Sequence, residues 1–280
     1  MAKTRRLLAE NLKLVDVVIE LLDARIPASS KNPEIDAIVN NKPRIIAMNK
    51  ADLADESASG EWLKWYNSKG IAVIFIDSIK GSGINQLKSK LREMMKERVE
   101  RDKLKGRIFR PIRTMVAGIP NVGKSSFINK IAGKASAVTG DRPGVTRGKQ
   151  WIRVNEEIEL LDTPGILWPK FEDKQVASNL AFTGAIKDEI MDTVELAALL
   201  LEQLSSEYPA FLQARFKLQS LEGQTGLMLL ETCGKNRGCV VSGGEIDLQR
   251  ISTIVLDEFR GGKIGRITLE RPVKEVTQQI

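Results

Sequence analysis

The chain has 280 residues, 42% hydrophobic and 28% charged, with 43 Lys+Arg against 36 Asp+Glu and no histidine. That length allows one large domain or two ordinary ones, and the missing histidine excludes a Ser-His-Asp triad, a Cys-His pair and any His-ligated metal within this sequence. Two cysteines, Cys233 and Cys239, are too few for a disulfide framework or a four-thiolate zinc site, and no apolar run approaches the roughly 18–20 residues that span a bilayer. Met1-Ala2-Lys3-Thr4-Arg5-Arg6 lacks the apolar segment of a secretory signal, so the expected setting is cytoplasmic, away from membrane.

Val15 to Leu22 is an apolar run bounded by Asp23-Ala24-Arg25-Ile26-Pro27, which reads as a buried strand entering a loop. Residues 35–39 suggest a short helix, 44–48 a second buried strand, 57–68 a helix with Trp62, Leu63 and Tyr66 on one face, and 71–76 a third strand. From Ile84 to Val99, the spacing of Ile84, Leu87, Leu91, Met94 and Met95 predicts an amphipathic helix. A basic linker at about 100–112 then ends near Pro111. A fourth strand over 113–117, a helix over 124–132 and strands over 150–154 and 158–161 follow. Beyond about residue 175 the strand signal fades, and 189–204, 209–216, 223–232 and 248–259 read as helices. The expected architecture is an α/β domain over residues 1–174, its mostly parallel sheet covered by helices on both faces, followed by a small all-helical domain over 175–280.

Charge is unevenly spread. Residues 1–169 hold 30 Lys+Arg and 20 Asp+Glu, while residues 170–280 hold 13 and 16. Between Lys80 and Arg113 there are 12 basic and 4 acidic side chains. Such a run is either a solvated helix face or a footprint for a phosphate backbone, and composition leaves both open.

Gly118-Ile119-Pro120-Asn121-Val122-Gly123-Lys124-Ser125-Ser126 contains G-x-x-x-x-G-K-S between a predicted strand and a predicted helix, the context a phosphate-binding loop requires. Glycines let backbone N–H groups approach phosphate oxygens, and the helix N-terminus adds partial positive charge. Asn121 to Ser126 are the candidate phosphate contacts, with Lys124 reaching the β- and γ-phosphates and the Ser125 hydroxyl ligating Mg²⁺. Asn49-Lys50-Ala51-Asp52 follows the second strand. There the Asp52 carboxylate would accept hydrogen bonds from guanine N1–H and the exocyclic amine, selecting GTP over ATP. Asn49 would fix the loop, the Lys50 stem would pack on the base, and Asp77-Ser78 would contact guanine O6.

Asp162-Thr163-Pro164-Gly165 follows the last predicted strand. D-x-x-G alone is expected about once by chance in a chain of this size, so its weight comes from position. Asp162 would hold Mg²⁺ through water, the Gly165 N–H would sense the γ-phosphate, and Thr146, in Arg142-Pro143-Gly144-Val145-Thr146, would complete the Mg²⁺ shell. Lys124, Thr146 and Gly165 are thus the groups expected at the reacting phosphate.

GTPases of the Ras-like fold run phosphate loop, switch threonine, D-x-x-G, N-K-x-D and base loop. Here the last two come first, so the order is circularly permuted, and the helical segment follows directly on the second switch, whose state it would feel. In this permuted order, N-K-A-D, G-I-P-N-V-G-K-S, G-D-R-P-G-V-T and L-L-D-T-P-G-I-L-W-P-K make the chain resemble the circularly permuted ribosome biogenesis GTPase A family (RbgA/YlqF). Asp23-Ala24-Arg25-Ile26-Pro27 and Thr183-Gly184-Ala185-Ile186-Lys187 share in the resemblance.

The resemblance implies GTP hydrolysis in late assembly of the large ribosomal subunit. It also implies binding to the large-subunit precursor and ribosomal RNA through the helical domain, with Lys235, Arg237, Arg260, Lys263 and Arg266 as the local basic patch. A monomer that hydrolyses GTP to GDP with Mg²⁺ is expected. Asn121 is the position at which potassium-activated GTPases use asparagine, which implies K⁺ near the phosphates. Ile166 stands where many GTPases orient water with glutamine, so intrinsic turnover is expected to be slow. The family's Gly-His leader, ahead of the segment matching Met1-Ala2-Lys3, is not part of this sequence. Competing readings are an RNA-binding placeholder with little hydrolysis, and a permuted GTPase acting on another RNA or at a membrane.

Overall fold

The computed structural model describes residues 2–39, 42–107, 110–133, 150–163, 173–186 and 192–273. The chain divides into two compact units, one of residues 1–171 and 268–280 and the other of residues 172–267.

The first unit is built on one six-stranded sheet in the order β3-β2-β1-β4-β6-β5. Its strands are β1 (Val17–Asp23), β2 (Arg44–Asn49), β3 (Ala72–Phe75), β4 (Ile112–Gly118), β5 (Gln150–Arg153) and β6 (Ile158–Asp162). All pairs are parallel except the edge hairpin β5–β6. The strand that leads into the phosphate loop, fourth in sequence, lies in the middle of the sheet between β1 and β6, as a permuted chain requires.

Every residue of β1 is buried, and all are apolar except Glu20 in its middle and Asp23 at its end. One face meets α1 (Ala2–Leu12) and α2 (Pro33–Val39): Leu8, Leu12, Ile35 and Val39 join Val18, Met115, Ala117 and Leu161 in a common core. Further along that face, α3 (Glu56–Ser68) places Trp62 and Tyr66 against Leu22, Ile46 and Met48. Trp62 and Trp65 meet edge to face at 5.5 Å. The remaining helices of this unit are α4 (Ile84–Leu104) and α5 (Lys124–Ala132), and α5 packs on β4. Helix α4 buries Ile84, Leu87, Leu91 and Met95, the predicted stripe except for Met94, and runs through Leu104 into what the sequence suggested was linker.

Among the members of the basic 80–113 run, Arg98 and Arg110 pair with Asp16, Arg110 at 2.8 Å, while the Arg113 N–H donates to the same carboxylate at 2.9 Å. Burial works against ionising Asp16, but the Arg113 N–H and the two guanidinium groups hold its pKa below the ordinary value. Arg92 pairs with Glu157 and Arg113 with Glu159. Four arginines of the run therefore meet acidic side chains of this same unit, an arrangement that neither the solvated-face nor the phosphate-footprint reading had included.

The second unit is helical: α6 (Lys174–Phe182), α7 (Thr193–Glu207), α8 (Pro209–Phe216), α9 (Gly226–Asn236) and α10 (Leu248–Arg260). Asp173, Asp192, Thr225 and Asp247 cap four of these helices through their side-chain oxygens. Helix α7 is the hub, packed by α6, α8, α9 and α10. The α9–α7 approach is close: a Cβ on Gly226 would lie 2.1 Å from the Ala198 carbonyl oxygen, so only glycine fits.

The sequence reading ran the helical segment to residue 280, whereas the structure returns residues 268–273 to the first unit. There the Leu269 N–H donates to the Arg25 carbonyl at 2.8 Å. The Glu270 carboxylate accepts the N–H groups of Ala28 and Ser29 at 2.6 and 3.0 Å. The Trp62 indole donates to the Glu270 carbonyl at 3.1 Å.

Candidate functional site

Three loops at the carboxyl ends of β4, β2 and β3 converge. The first leaves β4 at Gly118 and enters α5 at Lys124. Asn121 adopts φ 55° and Gly123 φ 93°, which curls the backbone ahead of the helix N-terminus. Gly123 has no alternative, because a Cβ there would sit 2.4 Å from Asn49 Nδ2.

Asn49 joins all three loops. Its Nδ2 donates to the Val122 carbonyl at 2.7 Å, and its Oδ1 accepts from the Ser78 N–H at 3.1 Å and the Ser78 hydroxyl at 2.7 Å. Lys50, itself at φ 59°, donates from Nζ to the Asn121 carbonyl at 2.9 Å. The Ala51 N–H donates to the Ile76 carbonyl at 3.1 Å. Asp77 Oδ1 accepts the N–H groups of Ile79 and Lys80 and so shapes the β3 loop. Asp52 is part-buried beside Lys80, whose Nζ lies 3.7 Å from its Oδ2.

On the other flank, parallel pairing aligns Asp162 at the end of β6 with Val116 of β4. The buried Lys124 Nζ lies 2.6 Å from Asp162 Oδ1, and the Thr163 hydroxyl donates to the Val116 carbonyl at 2.7 Å. Ser125 and Ser126 follow in the first turn of α5. The structure thus brings Asn49, Lys50, Ala51, Asp52, Asp77, Ser78, Asn121, Val122, Gly123, Lys124 and Asp162 into one neighbourhood. Thr146, Gly165 and Ile166 lie outside the described residues.

The oxygen donors here suit Mg²⁺, a hard cation that keeps waters and phosphate oxygens in its shell. Among the described residues no group of three or more Cys, Asp or Glu is placed to hold a metal ion. The Asp162 carboxylate, which meets Lys124 Nζ, and the Ser125 hydroxyl in the first turn of α5 are the oxygen donors on this flank of the site.

The basic patch expected on the helical unit is only partly available. Arg237 donates to Glu258 at 3.1 Å, and Arg260 donates to the carbonyls of Phe182 and Ala181 at 3.1 and 2.9 Å. Lys235, Lys263 and Arg266 are exposed. Sequence reasoning assigned no role to Asp23 and Arg25. The register β1–β2 aligns Asp23 with Asn49, a signal present in the two strand ends D-A-R and N-K-A-D.

A G-x-x-x-x-G-K-S loop, an N-K-x-D loop beside it and an Asp at the adjacent strand end define a P-loop GTPase. Residues 113–219 match the family model described as "50S ribosome-binding GTPase". A Bacillus cereus protein named Ribosome biogenesis GTPase A is 48% identical over 280 residues, covering 100% of this chain and 94% of its own. A Priestia megaterium protein of the same name is 48% identical, covering 97% of this chain and 94% of its own. The crystal structure of GNP-bound YlqF from T. maritima matches with a TM-score of 0.67 at 27% identity, over 96% of this chain and 98% of that one. The chain belongs to the ribosome biogenesis GTPase A family and hydrolyses GTP.

Proposed function

We propose that the converging loops hold one guanine nucleotide, and that its hydrolysis paces a step in assembly of the large ribosomal subunit. The observation that carries the site is Asn49, which hydrogen-bonds both the phosphate loop at Val122 and the base loop at Ser78. Asp52 reads the guanine, with Ala51, Asp77 and Ser78 lining the base side. Lys124 and the N–H groups of residues 121–126 hold the phosphates. Ser125 would hold Mg²⁺ directly and Asp162 through water, with Thr146 joining in the GTP state, and Gly165 would report the γ-phosphate. When bound, Mg²⁺ neutralises charge developing on the β- and γ-oxygens, as Lys124 does from the protein side. Asn121 is the residue to supply an oxygen to K⁺.

Ribosomal assembly is the role carried by the relatives' names. The partner proposed here is the large-subunit precursor with its RNA, met by the chain as a monomer. Among the described residues no helix is long and apolar enough to cross a membrane.

Two measurements test the reading. Fluorescent GTP should bind saturably with Mg²⁺ and be displaced by GDP but not ATP. Turnover should rise when purified large-subunit precursors are added. No saturable uptake rejects the site, and turnover indifferent to the precursors rejects the partner in favour of an RNA-binding placeholder.

A further inference from the structure

The end of β1 holds a buried ion cluster for which nucleotide contacts alone give no reason. Asp23 and Arg25 are 2% and 1% exposed. Asp23 Oδ1 accepts from Arg25 N and Nε at 3.0 Å each, and Oδ2 accepts from Arg25 Nη2 at 2.8 Å. The same Oδ2 lies 3.0 Å from Lys50 Nζ, which in turn donates to the Asn121 carbonyl of the phosphate loop. A lysine amine has three donors and a flexible stem, so two fixed acceptors define its position far better than one. Burial opposes ionisation of Asp23, but Arg25 and Lys50 overcome it and hold the carboxylate charged, its pKa well below the ordinary range.

The turn that carries this carboxylate is itself held from a distant part of the chain. The Ala24 carbonyl accepts from the Thr268 hydroxyl at 3.2 Å and the Arg25 carbonyl from the Leu269 N–H at 2.8 Å. The Thr268 hydroxyl also accepts from the Asp55 N–H at 3.1 Å, three residues past Asp52. Residues 268–270 thus brace the segments that follow β1 and β2, on either side of the guanine-reading loop.

We infer that Asp23 is a positioning residue for the nucleotide: it holds Lys50 against the Asn121 carbonyl, and the 268–270 segment keeps the Asp23–Arg25 turn in register for that task. Loosening the brace lets Lys50 relax, uncouples the base loop from the phosphate loop and hastens GDP release. The inference rests on the nucleotide site proposed above.

The test is the rate at which full-length protein releases a fluorescent GDP analogue after a chase of unlabelled GDP. Asp23→Asn and Lys50→Ala should each speed release by on the order of tenfold to a hundredfold, the worth of one charge-assisted hydrogen bond. The double variant should release no faster than Lys50→Ala alone, because both changes act through one contact. Thr268→Val, nearly the same shape and changing no charge, should speed release several-fold.

Tryptophan fluorescence checks folding of this unit, to which Trp62, Trp65 and Trp151 belong. If Asp23→Asn adds its full effect to Lys50→Ala, Asp23 serves folding alone and the inference falls. Should Asp23→Asn not fold, Thr268→Val decides: an unchanged release rate overturns the relay, and a faster one supports it. If wild-type protein takes up no guanine nucleotide, the site reading fails instead.

Discussion

Glu20 offers a direct test of the sheet's interior. It sits in the middle of β1, fully buried, among seven buried residues of a central strand. Its Oε2 accepts from Arg44 Nη1 at 3.2 Å, while Oε1 has no hydrogen-bond partner among the described residues. Burial pushes the carboxyl up from 4.5 to about 7, with Arg44 and Lys31 pulling only partly back. Between those values the folded chain keeps a proton that the unfolded chain has released, so stability falls as pH rises from about 4.5 to about 7 and then levels off.

The shift of about 2.5 units corresponds to about 3 kcal/mol in all, of which about 2 kcal/mol is lost between about pH 5.5 and about pH 8. No histidine titrates in this window, because the chain has none, and Cys233, pushed up to about 12 by burial, adds a further decline only as pH rises toward the unfolded thiol's ordinary value of about 9. Urea unfolding followed by tryptophan fluorescence at several pH values should show this decline in the wild type. Glu20→Gln, which cannot ionise, should flatten it by about 2 kcal/mol over that span and be the more stable protein at about pH 8. Parallel pH profiles for the two proteins would refute the buried-carboxylate account.

Asp52→Asn is expected to cut GTP affinity by about a hundredfold and shift preference toward xanthosine triphosphate, read by competition binding. Gly123→Ala, with a Cβ forced toward Asn49 Nδ2 at φ 93°, should strain the loop by about 1–3 kcal/mol. That variant should lose nucleotide affinity in titrations while keeping its circular dichroism. In the helical unit, Glu258 is shared by Arg215 at 2.8 and 2.6 Å and Arg237 at 3.1 Å. Glu258→Gln should lower that unit's stability by about 2 kcal/mol, measured by thermal melting. GTP turnover should be faster in potassium than in sodium chloride, and Asn121→Gly, which keeps the left-handed backbone, should erase the difference.

Local features of the fold were legible because their signals are local. The β1, β2 and β4 runs are mostly apolar because both sheet faces are covered, helix 124–132 ends at Gly133, and helix 209–216 opens at Pro209. Helix α1 was missed: with a short amphipathic face and a first turn of Lys3, Thr4 and Arg5, its order comes from Leu8 and Leu12 docking on the sheet. Helix α6, nine residues long, buries only its last turn and gives little periodicity. The site loops announced themselves through spacing, whereas their mutual bonds did not. Lys50 meets Asn121, and Lys124 meets Asp162, across separations of 71 and 38 residues. Glu270 reaches Ala28 across 242 residues, a partner no window of sequence contains.

The return of residues 268–273 makes the helical unit an insertion, entered and left through the same GTPase body. A shortened protein stopped near residue 174 would therefore not be a minimal GTPase, for it would strip the hydroxyl, amide and carboxylate that Ala24, Arg25 and Ala28 rely on. The minimal catalytic piece calls instead for excising the loop of helices and splicing its two ends, with Thr268, Leu269 and Glu270 left in place.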